Sequence, residues 1–395
     1  MSAKKARPVL LAWELGANLG HAMPLGEIAR LLQDRDFDMV CFARDLRSAA
    51  IAFRNLPVKL FQSPVWPPYR FDGQLSGPGN YANVLTSVGF GRPDLLGAVV
   101  LAWINVLKLL KPSVVVCDSA PALQIACKIT NIPTIAVGTP YLMPPVDGQN
   151  LPAFDALFSP AADERTLLTS ARAVFSQHGK PVPESLPAVL ATQFRFVFGL
   201  PEIDPYFSVR NEPLYLPLGM VVLPSQVPQQ PRLFAYMGAD DPVADKLFTM
   251  LVETGVPVDA YLRDNEGMLA RFLRRRGMQV FENPPALEEV LPISTHVITA
   301  GGAHLTQAAM LAGRAQIIFP GHEESWSNAQ MARRLNVARV MERHAEAASM
   351  RDKLVAAIND HALIRSANAL GADLAGRQHR SGAAQLTAAI ARYCA

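Results

Sequence analysis

Two side chains in the first half of the chain could act together as a base. His21 stands at the start of a predicted helix, after the loop ELGANLG, and Asp118 ends the apolar run VVVCD. A neutral imidazole takes a proton from a hydroxyl group near neutral pH, and a carboxylate on its other ring nitrogen would fix the tautomer and stabilise the imidazolium. Structural roles are alternatives, because a histidine can cap a helix and a lone aspartate can cap a strand end.

A second pattern, in the other half of the chain, suits a bound phosphate. Gly301 and Gly302 follow the apolar run HVIT and precede a predicted helix. Glycines let a ligand approach the backbone, and a helix start offers free N–H groups and a positive dipole end to an anion. A tight turn needed only for packing would have the same sequence. The next strand, QIIFPG, leads into the acidic and polar loop HEESWSN, so the two together suit a sugar attached to a diphosphate.

The elements that position these groups alternate between strand and helix. Apolar runs typical of buried strands occur at 8–13, 113–118 and 132–138 in the first half, and RLFAYMG, VDAYLR, MQVFE and HVIT follow in the second. The alternation predicts an α/β protein with two Rossmann-like, doubly wound domains that face a cleft. In such sheets ligands bind beyond the carboxyl ends of the strands, where both candidate sites fall. Residues 58–93, rich in proline, glycine and aromatics, predict a long functional loop with partial helix.

Proline density marks the predicted domain boundary. Prolines crowd the stretch from 199 to 231 and oppose both helix interiors and central strands. We predict an N-terminal acceptor-binding domain over 1–205, a proline-rich linker over 206–230 and a C-terminal nucleotide-sugar-binding domain over 231–375. A last helix, within 376–395, is expected to cross back to the N-terminal domain.

Composition excludes several classes of protein. Half of the 395 residues are hydrophobic and 18% are charged, which predicts a large packed core and excludes disorder. A net charge of only +3 argues against a nucleic-acid partner. The four cysteines lack metal-ligand spacing and a disulfide framework, which favours a reducing cytoplasm. The basic cluster over 271–276 is either a solvated helix end or a weak attachment to anionic lipid at the inner face of the membrane.

Taken together, the motifs resemble a known family. The pieces Gly301, Gly302, Pro320, Glu324 and Asn328-Ala329 are similar to the donor signature of bacterial GT-B glycosyltransferases of the UDP-glycosyltransferase-like family 1, the macrolide and natural-product type. In the first half, GHAMPLGEIARLL (20–32) resembles the Gly-His-x-x-Pro helix start of that family, and VVVCDSAPALQIACKITNIPTIAVG resembles its aspartate-bearing strand and following helix. The resemblance spans nearly the whole chain.

The resemblance implies an inverting, metal-independent glycosyltransferase with no cofactor. Its donor would be a UDP- or dTDP-linked sugar and its acceptor a hydroxyl of a small or lipidic molecule. His21 would be the general base and Asp118 its partner. The implied donor contacts are Gly238, Gly301, Gly302, His304, Thr306, Glu324, Ser325 and Asn328. The implied acceptor contacts are Trp66, Tyr69, Phe90 and Tyr141. The pair Asp240-Asp241 before Pro242 is read as a helix cap and not as a metal site.

The departures from the family pattern all fall on the donor side. Ala300 replaces the phosphate-binding histidine of the family, and Leu305 replaces a serine or threonine. One hypothesis is that His304 takes over the lost phosphate contact, against a plain surface helix histidine. Another is that Ser325, in place of glutamine, signals a deoxysugar. The same departures leave a catalytically silent binding protein as an alternative, and the arginine cluster leaves a membrane-associated enzyme with a lipid acceptor. A nucleotide-sugar epimerase of the same fold is disfavoured by the His-x-x-Pro element.

Overall fold

The structure, a computed structural model, describes residues 7–16, 18–35, 37–70, 79–154, 163–220, 222, 228, 230–263 and 267–394. Contacts within the chain divide it into two compact units. The first comprises Met1–Gly219 with Arg380–Ala395, and the second comprises Met220–His379. Each unit has its own hydrophobic core around its own sheet.

The first unit is built on a parallel sheet. Its strands are β1 (Val9–Trp13), β2 (Met39–Ala43), β3 (Val58–Gln62), β4 (Val114–Asp118), β5 (Thr134–Gly138), β6 (Phe194–Phe198) and β7 (Leu214–Tyr215). Its helices before the second unit are α1 (Leu19–Leu32), α2 (Leu46–Ala52), α3 (Tyr81–Ser87), α4 (Pro93–Leu110), α5 (Pro121–Thr130), α6 (Glu164–Gln177) and α7 (Leu186–Leu190). A short 3-10 helix spans Pro201–Ile203. The strands lie in the order β3-β2-β1-β4-β5-β6-β7.

The second unit repeats this arrangement on a parallel sheet of its own. Its strands are β8 (Leu233–Gly238), β9 (Val258–Arg263), β10 (Gln279–Phe281), β11 (His296–Thr299), β12 (Ala315–Ile318) and β13 (Ala338–Val340). Its helices are α8 (Ala244–Thr254), α9 (Met268–Arg275), α10 (Leu287–Val290), α11 (Ala303–Leu311), α12 (Glu323–Arg334), α13 (Ala347–Ile358) and α14 (His361–Gly376). The strands lie in the order β10-β9-β8-β11-β12-β13. The last helix of the chain, α15 (Ala383–Cys394), belongs to the first unit.

Both sheets reverse their strand order at one place. The chain builds outward from β1 to β3 and then returns to place β4 on the other side of β1, and β8 and β11 have the same relation in the second unit. At such a switch point the loops that follow the two central strands diverge and leave a crevice for a ligand. The prediction of two doubly wound, parallel α/β domains is therefore confirmed.

Burial explains why these segments form central strands. Every residue of β1 and of β4 is buried, as expected for strands covered by helices on both faces. The helix α4 is long and apolar enough to cross a membrane by length and composition. It also carries a buried stripe that includes Leu96, Val100 and Trp103 within the core of the first unit, so it is a core helix in this structure.

The proline-dense stretch packs more firmly than a linker would. Contacts within the chain separate the two units after Gly219, whereas the sequence predicted a linker that begins at residue 206. Tyr206 is fully buried in the first unit, and Arg210 donates to Asp204 at 2.6 Å in an ion pair that is itself buried. The described part of this stretch also includes the short strand β7. Likewise, residues 58–62, predicted as loop, form the edge strand β3.

Candidate active site

The predicted general base and its carboxylate partner lie at the switch point of the first unit. In the register of β1 and β4, Trp13 lies opposite Asp118. His21 follows in the first turn of α1, and its Nδ1 lies 3.0 Å from Oδ2 of Asp118. These residues are 97 positions apart in sequence. The parallel sheet brings them together because Asp118 ends the central strand β4 and His21 lies in the helix that follows the central strand β1.

Burial makes this contact a strong one. His21 is 9% exposed and Asp118 is 3% exposed. A carboxylate on Nδ1 favours the tautomer with the proton on that nitrogen and stabilises the ring when it gains a second proton. The other carboxylate oxygen, Oδ1, is buried and has no hydrogen-bond partner among the described residues. The arrangement suits an imidazole that receives a proton at Nε2.

The loop before α1 is shaped around the imidazole ring. Gly16 has a φ of +90°, and a Cβ at this position would lie 2.1 Å from Nε2 of His21. On another side, the Trp13 ring stacks on the ring of His21 with centroids 5.5 Å apart. Glycine is needed at position 16 for two reasons: its backbone is left-handed, and the ring occupies the space where a side chain would begin.

A buried carboxylate lies beside this pair, and sequence reasoning missed it. Glu14, 1% exposed, follows β1 directly. It accepts the indole N–H of Trp66 at 2.6 Å and that of Trp103 at 3.0 Å. It also accepts the backbone N–H groups of Ala122 and Leu123, in the first turn of α5, at 3.2 and 3.0 Å. The usable signal was a carboxylate at the end of a fully apolar central strand.

Burial changes the acidity of this carboxyl group. It raises the pKa of Glu14 from 4.5 to about 7, although the hydrogen bonds from Trp66 and Leu123 act in the opposite direction. A carboxyl group that binds its proton more tightly in the folded protein contributes stability that is complete below pH 4.5 and is lost as the pH rises through about 7. The first unit should therefore become less stable toward alkaline pH on account of this group.

The variant Glu14→Gln tests this expectation. Between about pH 5 and pH 8 the wild type should lose about 2–3 kcal/mol relative to the variant. That corresponds to roughly 5–10 °C in melting temperature for a unit of this size. Thermal unfolding followed by circular dichroism at both pH values measures the difference. The exposed carboxyl of Glu184 gives the control, Glu184→Gln, and equal pH slopes for the two variants would contradict the expectation.

The predicted acceptor residues divide into buried and half-buried ones. Trp66 is 6% exposed and stacks near Phe90, which is fully buried. Tyr141 is 3% exposed and stacks on Phe154 with centroids 4.6 Å apart. The predicted acceptor rings of Trp66, Phe90 and Tyr141 are therefore packed inside the unit. Their burial does not fit a direct contact with an acceptor. Tyr69 is half-buried, and its ring packs against Gly89.

In the second unit, the two glycines after β11 have different roles. Gly301 has a φ of +86°, and a Cβ there would lie 2.9 Å from the backbone oxygen of Ser325 in α12. Asn328 donates to the Gly301 carbonyl at 3.0 Å. Gly302 is exposed, caps α11, and a Cβ there would meet nothing within 4 Å. Packing thus explains Gly301, and only Gly302 offers open backbone at the start of a helix.

Several other predicted donor residues are internal. Ser325 is fully buried, and its hydroxyl accepts the N–H groups of Gly321 and His322 in a helix-capping arrangement. Thr306 is fully buried, and Asn328, 1% exposed, holds the glycine turn. Direct contacts from these three side chains to a sugar or phosphate do not fit this burial, and the deoxysugar hypothesis loses its basis in Ser325.

The remaining predicted donor residues are more accessible. His304 and Glu324 are half-buried, on the first turns of α11 and α12. Burial lowers the pKa of His304, and the nearby charge of Glu288 only partly offsets this effect. Its imidazole is therefore neutral at pH 7 and can donate a hydrogen bond without carrying charge. Gly238, at the end of β8, lies under an ion pair between Arg263 and Asp240.

An arginine at the same sheet edge was not predicted. Arg343, just after β13, donates from Nη1 to the Phe319 carbonyl at 2.7 Å, and its Nη2 pairs with the carboxylate of Asp241. A Cβ on Gly321 would lie 3.0 Å from this guanidinium. Asp241 follows β8 and Phe319 follows β12, so Arg343 reaches loops on both sides of β11. No sequence motif identifies Arg343. Asp241 also caps the turn before α8 by accepting the N–H of Val243 at 3.0 Å.

Solved structures that are similar to this chain over nearly its whole length include glycosyltransferases of natural products. The calicheamicin glycosyltransferase CalG4 superposes with a TM-score of 0.65 at 16% identity, over 98% of this chain and 98% of that one. The glycosyltransferase of kitacinnamycin gives 0.64 at 16% identity over all of both chains. The chain has the GT-B fold. A third GT-B structure, the glycosyltransferase VinC in complex with dTDP, gives 0.63 at 14% identity over 98% of this chain and 99% of that one.

Identities this low establish the GT-B fold and not the activity. No family model matches the sequence, and no curated protein does either. The GT-B fold is nevertheless the one that the sequence motifs implied, and the solved structures are of the natural-product type that those motifs resemble. Among the described residues, no group of three or more histidine, cysteine, aspartate or glutamate side chains could hold a metal ion.

Proposed function

We propose that this GT-B protein is an inverting glycosyltransferase that moves a sugar from a UDP- or dTDP-linked donor to a hydroxyl group of a small or lipidic natural product. The observation that carries the proposal is the buried pair of His21 and Asp118, 3.0 Å apart at the switch point of the first unit. Natural-product glycosyltransferases share the fold, and VinC was solved with a thymidine diphosphate. The free cysteines, three of them buried, support a cytoplasmic location.

The proposed chemistry on the acceptor side uses His21 as the base. The acceptor hydroxyl oxygen forms a bond to the anomeric carbon of the sugar while its proton passes to Nε2 of His21. Asp118 holds Nδ1 and stabilises the imidazolium that results. The bond from the anomeric carbon to the diphosphate breaks on the opposite face, so the configuration of the sugar inverts.

On the donor side, we propose that protein groups stabilise the leaving diphosphate. The first N–H groups of α11 have no acceptor within their own helix and begin at the open Gly302. His304 adds a neutral N–H donor, and Arg343 places its guanidinium, paired with Asp241, at the same sheet edge. These groups replace the histidine that Ala300 removes from the family pattern. Protein charges and dipoles of this kind can stabilise a developing anion without a metal ion.

Titration of dTDP and UDP by calorimetry tests this donor site. Gly302→Val should fold normally, because its φ of −63° suits any residue and the space is open. The added bulk should lower affinity for the preferred diphosphate about ten- to a hundredfold, the effect of losing hydrogen bonds to a charged group. His304→Ala should lower it about two- to tenfold.

The chain offers a matched control for this titration. Gly267 also caps a helix of the second unit in open space, so Gly267→Val should leave affinity unchanged. Unchanged affinity in Gly302→Val would remove the backbone site from the proposal.

One observation favours a second candidate function. Ala300, Leu305 and the buried Ser325 together remove several side-chain contacts that the family uses for its donor. A GT-B protein without those contacts could bind a ligand or activate a partner enzyme without transferring sugar. Failure of the wild type to bind either nucleotide diphosphate, with the fold intact, would favour this silent protein over the enzyme.

A further inference from the structure

The helix α9 presents a mixed apolar and basic face to solvent. Met268, Arg271, Phe272 and Arg275 stand at positions i, i+3, i+4 and i+7, which share one side of a helix. Met268 is 84% exposed and Phe272 is 36% exposed, and both arginines are exposed. We call these four residues the α9 outer face. It exposes most of the Met268 side chain and part of the Phe272 ring, together with two guanidinium groups.

The opposite side of α9 is the one that folding uses. Ala270 and Leu273 are buried in the core of the second unit, with 1% and 0% exposure, and Leu269 packs against the same core. Arg274 donates to the Val280 carbonyl of β10 at 3.4 Å, which helps hold the end of the helix. On the outer face, Met268 remains almost fully accessible and Phe272 remains partly accessible.

No carboxylate in the described part of the chain neutralises the arginines around this face. Three arginines lie in α9 and a fourth follows it directly: Arg271, Arg274, Arg275 and Arg276. Within the described part of the chain, none of them forms an ion pair with a carboxylate. The guanidinium of Arg276 instead lies 5.4 Å from the centre of the Phe272 ring. The whole chain has a net charge of only +3. The positive charge of these arginines is therefore concentrated locally, at one short helix.

From this surface we infer that the protein binds anionic membrane lipid through α9. Lipid headgroups carry the negative charge that unpaired arginines require, and the acyl boundary beneath them receives apolar side chains such as Met268 and Phe272. A nucleic-acid backbone would use the arginines and leave the methionine in water. The inference is independent of the proposed reaction, and it places the protein where apolar acceptors accumulate.

Flotation of the full chain with vesicles tests this inference without any substrate. Binding should be strong to vesicles of phosphatidylcholine and phosphatidylserine in equal parts, weak to phosphatidylcholine alone, and lost as salt is raised. Arg271→Gln with Arg275→Gln should weaken binding about fivefold per arginine. Met268→Ser with Phe272→Ser should weaken it by at least about tenfold. Arg271 and Arg275 are exposed, so the melting temperature of the arginine variant should not change. Circular dichroism checks that the serine variant is folded.

The control removes the same charge from elsewhere on the second unit. Arg333 and Arg365 are exposed and form no ion pair within the described residues, so Arg333→Gln with Arg365→Gln should bind vesicles as the wild type does. Equal loss in this control, or equal binding to both vesicle types, would overturn the inference. So would preferential binding to a duplex oligonucleotide that the arginine variant abolishes and the vesicles do not compete for. Because no sugar donor is present, each of these outcomes leaves the transferase proposal intact.

Discussion

Replacement of His21 by alanine should abolish most sugar transfer while the protein stays folded and keeps its nucleotide affinity. General-base catalysis typically increases a rate about a hundred- to ten-thousandfold. The acceptor hydroxyl group depends on a base because it is a poor nucleophile until its proton is removed. The loss should appear in kcat, since the proton moves only during the reaction. Product formation by mass spectrometry, with the donor and acceptor on which the wild type is active, provides the measurement.

Two comparisons make the His21→Ala result specific. His178, at the end of α6 in the same unit, lies far along the chain from the switch-point loops, so His178→Ala should transfer sugar at the wild-type rate. The dTDP affinity of His21→Ala should match that of the wild type, because the proposed diphosphate site lies in the second unit. Transfer within a few-fold of the parent would show that His21 is not the base.

The sequence predicted the placement of the site better than the roles of its side chains. Apolar runs and their alternation with helices identified the central strands, and topology then determined what lies at their carboxyl ends. Topology thus placed His21 and Asp118 at the same edge of one sheet, and the family resemblance paired them although they are far apart in the chain. Glycines with open backbone and glycines under a neighbouring helix have the same letter, so Gly301 and Gly302 could not be separated without coordinates.

Small polar residues at motif positions were the harder case. A serine or an asparagine serves equally well as a ligand contact and as a cap, and Ser325 and Asn328 satisfy backbone groups of their own unit. Glu14 was missed for the opposite reason, because its partners are two indoles and a helix start that come from distant parts of the sequence. Only the folded chain reveals that Trp66 donates its indole N–H to this carboxylate.

Substitution of Gly16 by alanine should be nearly as harmful to transfer as removal of the histidine itself. The left-handed backbone there disfavours any side chain by about 1–3 kcal/mol, and the new methyl group would lie 2.1 Å from Nε2 of His21. The ring must move, and a displacement of about 1 Å at a reacting group can cost about a hundredfold in rate. Gly20→Ala provides the matched control. Its Cβ meets nothing within 4 Å, so this variant should retain activity and gain about 0.5–1 kcal/mol in stability as a helix residue.

A double-mutant cycle separates the two effects at Gly16. In the His21→Ala background no ring opposes the new methyl group, so Gly16→Ala should lose only the stability attributable to the left-handed backbone. The loss in the parent should be larger by about 1–3 kcal/mol, which is the usual size of coupling between residues in direct contact. Melting temperatures of the four proteins give this difference. If the Gly16→Ala loss is the same with and without the imidazole, the ring does not fill the space against Gly16. The ring orientation that the proposed mechanism requires would then have to come from another part of the loop.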